Sequence, residues 1–98
     1  MIFTTTNTIE GHKIHDYLGI VTGISVNAQR AKFTLSAEKY LKAIGKSIEL
    51  IKEEAFQDLR TNALNLKANA VVGIKIDIEL TATNYVTVSI TGTAVKVA

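Results

Sequence analysis

The sequence predicts a small two-layer α+β domain, its elements in the order β-β-α-α-β-β around a four-stranded antiparallel sheet. Two observations carry this. Val72, Ile74, Ile76, Ile78 and Leu80 alternate with Gly73, Lys75, Asp77 and Glu79, the period of a strand with one wet face. Ile48, Ile51, Ala55, Leu59, Ala63 and Leu66 recur at helical spacing, which gives one apolar stripe for a sheet to cover.

Taken in order, residues 2–6 are β-branched and aromatic and suit a short strand at an edge, followed by a turn at Gly11. Residues 14–26 are rich in Ile, Val, Leu, Tyr and Thr and read as a longer strand. Gly19 and Gly23 inside it mark bulges or a close backbone approach. After a polar connection over residues 27–32, Ala37, Tyr40, Leu41 and Ile44 predict a short helix over 36–44 that Gly45 stops.

A second helix follows over 47–67, with Ser47 as its cap and Glu49 in its first turn. Phe56 flanks its apolar stripe, and Leu50 and Leu64 stand on the opposite side, where they suggest a further buried face made with another subunit. The strand at 72–80 turns at 81–84 into a last strand over 85–97. There Val86, Val88, Ile90 and Ala94 oppose Thr87, Ser89, Thr91 and Thr93, and the two strands should form an antiparallel hairpin on the long helix.

The chain of 98 residues is one domain, and a domain this small buries only roughly two-thirds of the surface its unfolded chain exposes. It contains no cysteine, so neither disulfides nor thiolate zinc sites can stabilise it, and oligomerisation is the expected aid. A net charge of +2 is too small to argue for nucleic acid. The first six residues lack the basic start and apolar core of a signal peptide, and no apolar run approaches membrane-spanning length, so a cytoplasmic location is expected.

Five pieces in order carry a family resemblance over nearly the whole chain. They are Thr4-Thr5-Thr6 with Gly11, Leu18-Gly19-Ile20-Val21-Thr22-Gly23, Gly45-Lys46-Ser47, Ala68-Asn69-Ala70-Val71-Val72-Gly73 with Asp77, and Gly92-Thr93-Ala94-Val95. With these the chain resembles the YbjQ-like family of small bacterial proteins, which carries a heavy-metal-binding label. The resemblance implies a homopentameric ring of α+β subunits and supplies no activity. The chain departs from the family pattern at Glu10, where a proline usually precedes the glycine, at Lys67, where a glycine usually precedes Ala68, and across residues 28–43.

Metal binding needs ligands, and Glu10, His12, His15 and Asp16 bring imidazoles and carboxylates close in sequence. Without thiolates they would suit zinc, nickel or copper through nitrogen and oxygen donors. A second candidate set is Asp77 and Glu79 on the wet face of the hairpin, beside Lys75 and the hydroxyls of Thr87, Ser89, Thr91 and Thr93. Such carboxylates share a cation or divide acid and base roles, but no nucleophile, oxyanion donor set or orienting histidine accompanies them.

No catalytic set is therefore assigned, and the cofactor stays open. Gly45-Lys46-Ser47 copies the end of a phosphate-binding loop, yet the glycine needed five positions upstream is Tyr40. Residues 30–46 hold Arg30, Lys32, Lys39, Lys42 and Lys46 against Glu38, a patch that could meet nucleic acid or an anionic surface. The leading expectation is a non-catalytic oligomeric module that binds a metal or small ligand between subunits. The alternatives are an enzyme whose site is assembled at subunit interfaces and nucleic-acid or anionic-surface binding through residues 30–46.

Overall fold

A computed structural model describes residues 1–28, 37–80 and 85–98, with the side chains of residues 27–28 and 37–47 outside that description. Its elements are β1 (Ile2–Phe3), β2 (Ile14–Ala28), α1 (Ala37–Asn65), β3 (Ala70–Leu80) and β4 (Tyr85–Val97). The sheet runs in the order β1-β3-β4-β2. The hairpin expected from the alternating strands is present, and β2 pairs along the far side of β4. The predicted turn at 81–84 lies outside the described residues.

Two expectations are corrected. The sheet is mixed, because β1 runs parallel to β3, pairing Ile2 with Ala70 and Phe3 with Val71. The order is β-β-α-β-β, because one helix of 29 residues replaces the two predicted. Gly45 lies inside that helix and is no cap. An interior glycine costs a helix only about 1 kcal/mol, and no proline is present to force a break.

The helix stripe behaves as its spacing requires. Ile51, Ala55, Leu59 and Ala63 are buried against Val21, Val71, Ile74, Val86, Val88, Ile90 and Ala94, while Leu66, just past the helix end, is exposed. Phe3 reaches the helix from β1, its ring 5.8 Å from that of Phe56, with the Arg60 guanidinium over the Phe3 ring at 5.8 Å from its centroid. A smaller cluster of Ala70, Val72, Val95 and Val97 lies on the sheet's other face, covered by Ile2, Ile9 and Ile14.

That second cluster exposes a phase change that simple alternation conceals. The β3–β4 register slips between Val72 and Lys75, and Gly73 adopts φ 62°, the geometry of a bulge with a left-handed glycine. Val72 therefore belongs to the outer face, whereas Ile76 and Ile78, opposite Ile90 and Val88, belong to the helix face. The Gly73 N–H donates to the Thr6 carbonyl at 2.8 Å and the Ile74 N–H to that of Thr4 at 3.1 Å, so the N-terminal segment covers the β3 edge up to this bulge.

The helix lies chiefly over β2 and β4. Its approach is set by Gly23, where a Cβ would stand 2.6 Å from the Leu59 nitrogen and 2.8 Å from its Cβ, and would also meet the Ala55 carbonyl. Three polar groups one helical turn apart then hook the free edge of β2. Ser25 donates to Glu54 at 2.7 Å, the Ile24 N–H donates to Asp58 at 3.0 Å, and the Asn62 amide donates to the Thr22 carbonyl at 2.7 Å. The bonds to the Ile24 N–H and the Thr22 carbonyl satisfy backbone groups that an edge strand otherwise offers to other chains.

The helix ends in a Schellman turn. The Ala68 N–H returns to the Ala63 carbonyl at 3.1 Å and the Lys67 N–H to that of Leu64 at 2.8 Å, with Lys67 at φ 64°. Asn69 then works as a side-chain strand residue, donating to the Val97 carbonyl at 2.8 Å and accepting from the Val97 N–H at 2.7 Å.

Two substitutions test these contacts. Gly23→Ala should destabilise the fold by at least about 2 kcal/mol, because the helix backbone must lift off the sheet. Denaturant unfolding at fixed protein concentration measures it. Lys67→Gly should stabilise by about 1 kcal/mol by relieving the left-handed backbone, an upward shift of about 5 °C in a thermal melt.

Candidate functional site

On the outer face the strand registers place side chains in rows across β2, β4 and β3. Thr22, Thr91 and Lys75 form one row, Ile24, Ser89 and Asp77 the next, and Val26, Thr87 and Glu79 the third. Facing residues of paired strands stand roughly 5 Å apart, and Asp77 and Glu79, two residues apart on one strand, are separated by about 7 Å. The result is a strip of hydroxyls on β4 with charged groups on one side and apolar groups on the other. Lys75, Asp77 and Glu79 are all exposed.

The predicted polar face is therefore one continuous surface. Its donors are hard oxygens, which suit a hydrated divalent cation or a hydrogen-bonding ligand. Among the described residues, however, no three His, Asp or Glu side chains gather closely enough to hold a metal. Asp77 and Glu79 come to the surface as a pair, with no third ligand among the described residues.

The histidines take different positions. His12 sits in the turn before β2, exposed, with its Nδ1 2.8 Å from the Ala98 oxygen, a bond that ties this turn to the end of β4. His15 is exposed on β2 at the irregularity between Ile14 and Asp16. With Glu10 and Asp16 they form no metal cluster within one chain. The family's heavy-metal label calls for soft donors, and this chain has no cysteine, so a thiolate centre does not fit it, whether built by one copy or several.

Gly45-Lys46-Ser47 lies in helical backbone, which is the wrong conformation for a phosphate-cradling loop. The side chains of the basic stretch over residues 30–46 lie outside the described residues. No described helix is long and apolar enough to cross a membrane.

Sequence reasoning missed two features of this surface. It did not find the Glu54-Asp58-Asn62 hook on β2, although spacings of four residues on a helix flank were there to read. It also did not find that β2 presents Ile20, Ile24 and Val26 to solvent, with Ile20 as much as 78% exposed. From Leu18 to Val26 every residue of β2 is apolar or small, so alternation there gives no sign of which side faces out.

Comparison with known proteins places the whole chain in one group. A sequence-family profile described as "Putative heavy-metal-binding" (YbjQ) matches residues 1–98. The chain is 41% identical to a UPF0145 protein of Clostridium kluyveri, over 99% of each chain. It is 33% identical to a UPF0145 protein of Bacillus cereus, over 99% of this chain and all of that one. Its fold is similar to the crystal structure of a protein of unknown function in the DUF74 family from Pediococcus pentosaceus. The TM-score is 0.73 and the identity 22%, covering 100% of this chain and 98% of that one.

Because Asp77 and Glu79 are solvated and lean on no buried partner, Asp77→Asn and Glu79→Gln should each change unfolding free energy by less than about 0.5 kcal/mol. Equilibrium denaturation of both variants checks that the strip is free of a stability role.

Proposed function

The chain belongs to the YbjQ (UPF0145) family, and from that premise we propose that it is one subunit of a homo-oligomeric ring that binds a small ligand or a metal ion between subunits. Five copies is the number that the family resemblance implies. The module is not an enzyme in this reading, and it works in the cytoplasm.

The observation that carries the proposal is the unfinished surface of the single chain. Its accessible area is 6707 Å², against about 5,500 Å² for a folded monomer of this mass. Its radius of gyration is 16.3 Å, where a compact domain of this length has about 13 Å. The excess of about 1,200 Å² is of the order that a subunit hides in the two contacts of a ring, at about 800 Å² for each side of a standard interface. Large apolar side chains lie exposed on that surface, among them Tyr17, Ile20, Leu50, Leu64 and Leu80.

A ring also answers the shortage of ligands. Repeating the Asp77–Glu79 pair and the His12 and His15 imidazoles around an axis gathers donors from neighbours, all of them nitrogen or oxygen. The metals that suit such a set are hard or borderline ones such as magnesium, calcium, zinc or nickel.

Native mass spectrometry of the untagged protein tests both halves. A five-subunit mass is expected, with added mass after exposure to magnesium, calcium, zinc or nickel chloride or with a ligand carried from the cell. A bare monomer at micromolar concentration overturns the ring. A ring that retains neither metal nor small molecule overturns the binding role.

A further inference from the structure

Two groups of exposed apolar side chains sit on opposite faces and at opposite edges of the sheet. On β3, beyond the bulge, Ile76, Ile78 and Leu80 share the helix face with Ile90, Val88 and Val86. Their partners on β4 are fully buried beneath the helix, yet they are 40%, 45% and 60% exposed because α1 does not extend over them. On β2, Ile20, Ile24 and Val26 share the outer face with Thr93, Ser89 and Thr87 and are more than half exposed.

The two edges differ as well. The Glu54-Asp58-Asn62 hook occupies polar groups along β2, and the N-terminal segment occupies the β3 edge only up to Ile74. Lys75 to Leu80 form an edge that no described segment covers. One sheet thus has an apolar step on its helix side at one edge and an apolar shelf on its outer side at the other.

We infer that these surfaces are complementary halves of one contact between copies, in which the β2 outer face (Ile20, Ile24, Val26) of each chain seats on the β3 step (Ile76, Ile78, Leu80) of the next. The subunits overlap like tiles. The inference rests on the oligomeric reading above and adds which surfaces meet and with what polarity.

The argument against a two-fold contact is direct. An isologous contact pairs a patch with itself, so burying the β3 step in a dimer leaves the β2 shelf in water, and the reverse. A head-to-tail contact buries both in every copy. Because the patches lie on opposite faces, stacking one on the other continues in the same rotational sense and closes when the rotation divides the circle. A second copy fits this pair of surfaces through its apolar character and through the excess area of the single chain.

The test uses Ile24→Asp and Ile78→Asp, one of them labelled with 15N because the two changes are equal in mass. Both positions are about half exposed, and circular dichroism confirms that the variants fold. Each variant alone should be monomeric, its self-association weakened at least about 100-fold, since every contact contains one damaged patch. Mixed one to one, they should form a heterodimer and nothing larger, because each partner still holds the patch the other lost.

Homodimers of either variant, or a mixture that stays monomeric, overturn the inference while leaving the oligomer standing. So do variants that assemble like the wild type. A wild-type protein that is itself monomeric overturns the oligomeric reading first. Ile20→Asp paired with Ile76→Asp repeats the test if one of the first pair does not fold.

Discussion

An α-helix with its side chains is about 10 Å wide, and three long strands with their flanks need nearly 15 Å of cover. One helix cannot protect all of this sheet, so where the helix settles decides which apolar groups stay wet. Gly23 settles it. Lacking a side chain, it lets the Ala55–Leu59 backbone come down on β2, and the Glu54, Asp58 and Asn62 side chains fasten the helix to that edge. The cost of this off-centre seat falls on the far strand, where no described segment covers Ile76, Ile78 and Leu80. At the start of β3 the Phe3–Phe56 contact and Arg60 supply the missing cover; farther along, nothing described does.

The other end of the helix explains why the stretch from Ala68 to Gly73 is so distinctive. With Lys67 before them, these six residues must reverse the chain, start a strand and supply a bulge. The Schellman turn does the first with Lys67 in a left-handed conformation, a position where glycine is the unstrained choice. Asn69 does the second, since its amide offers the same donor and acceptor pair as a peptide group and binds both polar groups of Val97. Gly73 does the third, and its N–H is then taken by Thr6. Each residue type follows from a geometric task, and none of the tasks is chemical.

Much of this architecture was legible because it depends on local periodicity. The hairpin, the buried stripe from Ile51 to Ala63 and the special roles of Gly19 and Gly23 follow from spacing and from what glycine permits. Gly19 does sit at a register slip with φ 128°, and Gly23 at a close approach. What failed depended on comparing distant energies. Gly45 looks like a stop, but its cost is small beside the burial gained by a longer helix. The direction of β1 depends on which edge is free, information that residues 2–6 do not contain. The shift of Val72 to the outer face hides inside an alternation that reads smoothly through Gly73. At the candidate site the polar strip was legible from the alternation of β3 and β4, while the apolar border on β2 was not, because β2 has too few polar residues to mark a face.

In the proposed ring that border would link assembly to the polar strip. Ile24 and Val26 stand in the same cross-strand rows as Ser89 with Asp77 and Thr87 with Glu79. A neighbour seated on β2 as inferred above would end at the hydroxyl strip, and its own body would wall one side of it. Exclusion of water on that side would lower the local dielectric and strengthen the hold of the carboxylates on any ligand given to them, which an open sheet surface cannot do. Such a neighbour would also be placed to bring the third ligand that the described residues of one chain do not gather. Binding would then depend on the contact between copies, and a ligand bridging the strip and the neighbour would tighten the same contact in return, since linkage between two binding events is reciprocal.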